Sequence, residues 1–145
     1  MEWTTSRLVG RRDEPPAGQP PPKDQPEEKE VDATPGAMVR ADFNTAHFLT
    51  LSYDAPQVVL HNSAYIFTPS KDGAHVVTYS KDKLRLSGFL WPETEKRLAG
   101  SPYLIAEKLG RGHVLLFADD PNFRLLWPRL TRLFTNAVFL APSLP

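Results

Sequence analysis

Two adjacent carboxylates, Asp119 and Asp120, follow the apolar run His113-Val-Leu-Leu-Phe-Ala118 and precede Pro121-Asn122-Phe123-Arg124. Catalytic and ligand-binding groups gather at the carboxyl ends of strands in α/β folds, which makes this turn the best placed for chemistry. The pair could orient a base, bind a cation, or cap the Pro121 turn by accepting from backbone N–H groups. Asn122 and Arg124 complete the candidate site, with Arg124 placed to pair with one aspartate as an internal brace. A reaction centred on Asp119 and Asp120 would need a further polar group within hydrogen-bond reach, such as His61 or His75, and a pocket beside them.

Other chemistry is harder to assemble. The histidines are His47, His61, His75 and His113. None has a glutamate three residues on, and no two share helical spacing. A zinc site needs three or four convergent ligands, so no metal ligand is assigned. The chain has no cysteine, which removes disulfides, thiolate metal sites and thiol nucleophiles together. Gly-x-Ser-x-Gly is absent, and Gly110-x-Gly112 leads into a strand pattern rather than a helix, so neither a nucleophile elbow nor a phosphate cradle is read. No catalytic residue is assigned. Trp91 and Trp127, with Phe89 and Tyr103, could line a groove for sugar or peptide, although aromatics at this spacing more often fill a core.

The elements that must position these residues are legible from periodicity. Residues 37–43 alternate as a strand, with Met38 and Arg40 on one side and Val39 and Ala41 on the other. Residues 44–53 form a turn and a short irregular or helical piece. Strands follow at 57–61, 64–68, 74–79 and 84–87, with turns at Pro69, Lys71-Asp-Gly73 and Lys81-Asp-Lys83. Pro92 opens a short helix over 92–98 that Gly100 ends. Strands 103–109 and 113–118 form a hairpin around Gly110-Arg-Gly112. The second is nearly all apolar, which predicts burial on both faces. A final helix spans about 125–139, with Leu126, Leu130, Leu133, Phe134, Ala137 and Val138 on its apolar face and Arg129, Arg132 and Asn136 in water. The expected architecture is α/β with an α+β character: a mixed sheet covered by a long C-terminal helix.

Upstream, seven prolines fall within residues 15–35, and residues 11–30 contain no large apolar side chain. Such a segment cannot bury enough surface to offset about 1–2 kcal/mol of backbone entropy per residue. The expected organisation is a remnant of upstream structure over residues 1–10, a linker or disordered insertion over 11–34, and one domain over 35–145. The 17 basic and 17 acidic side chains cancel, which argues against a nucleic-acid or anionic-membrane surface. No apolar run approaches the roughly 18 residues of a membrane helix, and Met1-Glu-Trp-Thr-Thr-Ser6 lacks the opening of a signal peptide. The compartment stays open.

Leu86-Ser-Gly-Phe-Leu-Trp-Pro-Glu93, Arg97-Leu-Ala-Gly-Ser-Pro-Tyr103, Gly110-Arg-Gly-His-Val-Leu-Leu-Phe-Ala-Asp-Asp-Pro-Asn-Phe-Arg124 and Arg132-Leu-Phe-Thr-Asn-Ala-Val-Phe-Leu140 occur in order. Together they resemble the carboxyl-terminal region of large bacterial proteins. The amino-terminal part of those proteins is similar to zinc carboxypeptidases of the carboxypeptidase A class, and their carboxyl-terminal part resembles a class I glutamine amidotransferase domain. The likeness spans roughly 35–142. It implies the distal part of a flavodoxin-like domain, belonging to a parent that is a zinc metallocarboxypeptidase. The peptidase's His-x-x-Glu pair and later histidine have no counterpart here, so zinc is expected in the parent's peptidase domain and no cofactor in this chain. Where the amidotransferase has His-Pro-Glu, this chain has Asp120-Pro121-Asn122, and the nucleophilic cysteine is missing. The resemblance therefore implies a non-catalytic accessory domain for packing, oligomerisation or substrate positioning. Its expected partners are the parent's peptidase domain and a second copy paired through an exposed sheet edge. A sugar- or peptide-binding module is the alternative.

Overall fold

Strict alternation builds the central strand. In β2 (Gly36–Phe43), Ala37, Val39, Ala41 and Phe43 are buried, while Met38, Arg40 and Asp42 face outward. The computed structural model describes Leu8–Val9 and residues 33–143. The remnant expected over residues 1–10 and the linker over 11–34 thus fall largely outside the described residues. The exceptions are β1 (Leu8–Val9), paired with β4 (Ile66–Phe67), and Ala33 and Thr34. Thr34 is buried and donates its N–H to the Ser63 carbonyl, so the fold is already engaged one residue before Pro35.

β3 (Gln57–His61) runs along one edge of β2, from Ala41 opposite Gln57 to Ala37 opposite His61. Two strands share the other edge: β5 (Ala74–Tyr79) takes the carboxyl-terminal half and β6 (Arg85–Phe89) the amino-terminal half. Between them the charged Lys81-Asp82-Lys83 segment loops out. Arg40 holds both ends of that loop, its carbonyl accepting from Ser80 N at 3.0 Å and its N–H donating to the Leu84 carbonyl at 2.8 Å. α1 (Pro92–Leu98) then returns the chain so that β7 (Pro102–Leu109) lies beside β5. β8 (Gly112–Phe117) closes a hairpin on β7 through a two-residue loop, in which Gly110 supplies a φ of +61°. The order is β3-β2-β5-β7-β8, with β6 on β2.

Three expectations need correction. The sheet is not mixed: every strand pair among the described residues is antiparallel. The connections over residues 44–56 and 90–101 are long enough for a crossover, yet each delivers the next strand antiparallel to the strand it pairs with. The architecture is α/β with a curled antiparallel sheet and a C-terminal helix. Second, β8 is only half-buried, and it is β7 that is buried on both faces from Pro102 to Glu107. Among the described residues β8 has one neighbour and β7 has two, and an edge position overrides an apolar sequence.

Third, the last helix, α2 (Pro128–Leu140), begins later than expected. Arg124 and Leu125 have φ of +50° and +54°, a left-handed conformation that no right-handed helix can include. They sit in a 3-10 turn, Phe123–Leu125. The buried face of α2 is also narrower than expected, comprising Leu130, Leu133 and Ala137. Leu126, Phe134 and Val138 are exposed. Asn136 leaves the water to donate from Nδ2 to the carbonyls of Leu49 (2.9 Å) and Leu51 (3.2 Å). With the Tyr53 hydroxyl donating to the Arg129 carbonyl, this ties α2 to the 3-10 turn Phe48–Thr50.

Candidate functional site

The period of two in β3 turns Val59 and His61 inward together, and the same parity in β5 turns Val77 and Tyr79 inward. Opposite His61 stands Ala37, whose small side chain leaves room for the imidazole. Asp119 follows the end of β8. Its Oδ2 lies 2.7 Å from His61 Nδ1 and accepts from the Tyr79 hydroxyl at 3.1 Å, while its Oδ1 accepts from Asn62 N at 3.2 Å. The side chains of His61 and Asp119 are 0% and 1% exposed. A buried carboxylate with three donors is a satisfied group.

The contact also reports the shape of the sheet. β3 and β8 are the two ends of the strand order, four spacings apart. In a flat sheet they would be separated by roughly 19 Å. A hydrogen bond between the side chains of His61, which ends β3, and Asp119, two residues past β8, requires the sheet to curl, although the two edge strands do not pair among the described residues. His61 and Asp119 are the clasp.

A carboxylate holding histidine Nδ1 and leaving Nε2 free is the base-orienting half of a hydrolytic triad. Here Nε2 is buried and has no partner among the described residues. The cleft of about 680 Å³ under the Lys81–Lys83 loop is lined by Arg40, Asp42, Tyr79, Ser80 and the loop's charges, but by neither His61 nor Asp119. Among the described residues no cleft reaches Nε2, and the pair joins the carboxyl ends of β3 and β8.

The two aspartates therefore take different roles among those the sequence left open. Asp119 orients a histidine, and Asp120 caps the turn, its Oδ1 accepting from Asn122 N at 2.8 Å. Arg124 braces neither. Its guanidinium carbon sits 5.2 Å from the centroid of the Phe123 ring, and no ion pair joins it to Asp119 or Asp120. Trp91 is 43% exposed and meets Phe89 edge to face at 4.7 Å, whereas Trp127 packs against the core at the start of α2. The tryptophans and the acidic turn thus do not converge on one groove. The remaining histidines are dispersed. His47 Nδ1 accepts from Leu49 N, His75 Nε2 accepts from Ser70 N, and His113 lies on β8. No group of three or more metal-capable side chains forms among the described residues. Tyr79 carried no signal in the sequence beyond its inward parity.

Burial around the clasp has a consequence for pH. Burial pushes the Tyr79 phenol well above its ordinary value, with the Asp119 charge adding to it, and acts in the same direction on Tyr103. Tyr53 is pushed up to about 12 by burial, against the pull of Arg132 and Arg129. A phenol whose folded value exceeds its unfolded value contributes its full stability below the unfolded value and loses it as pH rises through the folded one. The fold is therefore expected to hold to about pH 10 and to unfold between about pH 10 and 12, with phenolate absorbance and loss of circular dichroism arriving in one step. Tyr65 is exposed and stands outside this group, so phenolate absorbance from more than one tyrosine on a chain that keeps its native dichroism would contradict this.

Comparison with family models, with curated proteins and with solved structures finds no match to this chain.

Proposed function

We propose that this chain is a non-catalytic accessory domain. One observation carries the reading: the histidine–carboxylate pair with base-orienting geometry is closed to substrate and joins the two ends of the sheet. Evolution of a catalytic dyad demands an approach to Nε2, whereas a structural brace demands its burial. The fold then offers surfaces rather than a reaction centre, and position, packing or assembly is its work. The resemblance of residues 35–142 to the end of zinc-carboxypeptidase-like proteins supplies the partner, a peptidase core that holds the zinc and does the hydrolysis.

The test compares such a peptidase with and without residues 35–145. Removal is expected to leave zinc bound and turnover of small peptides unchanged, with the loss appearing in assembly or in the handling of larger substrates. The reading fails if a folded His61→Gln variant abolishes an activity of the domain itself.

A further inference from the structure

Among the described residues β8 has a ladder partner on one side only. Ala118 N donates to the Tyr103 carbonyl. Alternation along an antiparallel ladder then turns the backbone groups of Val114 and Leu116 toward β7 and those of His113, Leu115 and Phe117 outward. Edge strands in monomers are commonly blunted by proline, charge or a bulge. Gly112–Phe117 contains no proline and no Lys, Arg, Asp or Glu, and its register with β7 runs without a bulge.

Charge stands at the two ends of the edge instead. Arg111 precedes the strand and Asp120 follows it, and both are exposed. A strand that is positive at its start, apolar along its length and negative beyond its end matches an antiparallel copy of itself. With Leu115 opposite Leu115, each Arg111 comes to the Asp119–Asp120 corner of the other copy. The apolar surface also continues past the strand. The Phe117 ring lies 6.5 Å from that of Phe134 on α2, one turn before Val138, which is 52% exposed, with Phe139 beside it at 74%. Exposed apolar surface contiguous with an unpaired edge marks an interface.

We propose that two copies of this chain associate through β8, antiparallel about a two-fold axis at Leu115, with the Phe134–Val138 stripes packing beside the paired strands. The interface is isologous, and Arg111–Asp120 contacts occur twice. The proposal does not rest on the clasp being non-catalytic.

Sedimentation equilibrium of the 145-residue chain, from low micromolar to hundreds of micromolar, tests it. A monomer–dimer equilibrium is expected. Arg111→Asp and Asp120→Arg should each weaken the dimer by about tenfold or more, since each places like charges together twice. The double variant, which restores opposite charges, should recover most of the loss. Asp120→Asn keeps an oxygen to cap the Asn122 amide, so it should weaken association while leaving the circular dichroism unchanged. A monomer at every concentration overturns the proposal. So does a dimer whose constant ignores all four variants.

Discussion

Asp119→Ala is expected to cost about 3–5 kcal/mol in a urea unfolding experiment at neutral pH, because it leaves two buried polar side chains without their acceptor. The substitution strips the acceptor from three donors at once: His61 Nδ1, the Tyr79 hydroxyl and Asn62 N. The first two are fully buried and cannot turn to water. Each buried polar group left unpaired costs about 1–3 kcal/mol, so the sum is consistent with that range. It is a large share of the total for a domain of this size, about 5–15 kcal/mol. The damage should also be directional. Because the clasp joins β3 to the end of β8, amide exchange should quicken first at those two ends and last in β2 and β5. Asp119→Asn keeps the shape and one acceptor oxygen but turns an amide toward a donor, and is expected to fall in between, at about 1–3 kcal/mol. A cost below about 1 kcal/mol for the alanine variant would mean that the sheet keeps its curl without the clasp.

Gly88→Ala should be of similar severity, for a backbone reason. Gly88 has φ of +83°, and a Cβ there would stand 2.5 Å from the Gly36 carbonyl oxygen and 2.9 Å from Ala37 Cα. The left-handed conformation alone costs a side chain roughly 1–2 kcal/mol. The clash adds to this, because both neighbours are backbone atoms of the central strand and cannot swing aside. The expected loss is about 3 kcal/mol or more, with β6 coming away from β2. Gly110→Ala is the control. Gly110 has φ of +61° with nothing within 4 Å of the added carbon, so only the conformational cost remains, about 1 kcal/mol. Equal losses at the two glycines in thermal or urea unfolding would show that the close approach of Gly88 to Gly36 does not matter.

Much of the local structure was legible in the chain. Gln57–His61 and Ala74–Tyr79 were readable as strands because a β-favouring run is bounded by breakers, Pro56 on one side and Gly73 on the other. Pro92 at the first helical position announced α1, and the inward parity of Val39 and Ala41 in β2 followed from a period of two. The start of α2 was not legible, because the left-handed turn at Arg124 and Leu125 breaks an apolar pattern that looks helical from residue 125 onward. Nor was the half-exposure of β8. Its composition suits a central strand, but strand order is a property of the whole sheet. The site shows the same division. Asp119 and Asp120 stand out in the sequence as a turn after a strand, with His61 and His75 as the histidines that could serve them. That the two aspartates would part, one to cap Asn122 and the other to hold His61, was beyond the sequence.

The chain by itself determined most of the elements, the inward face of β2 and the lack of cysteine chemistry, since these depend on neighbours within a few residues. The tertiary structure decided what the inward faces meet. His61 and Asp119 are 58 residues apart, and Tyr79 and Asp119 are 40 apart. No local pattern encodes either distance. Only the antiparallel order β3-β2-β5-β7-β8, curled by the twist and bulges of its strands, brings a histidine, a tyrosine and a carboxylate to one buried point.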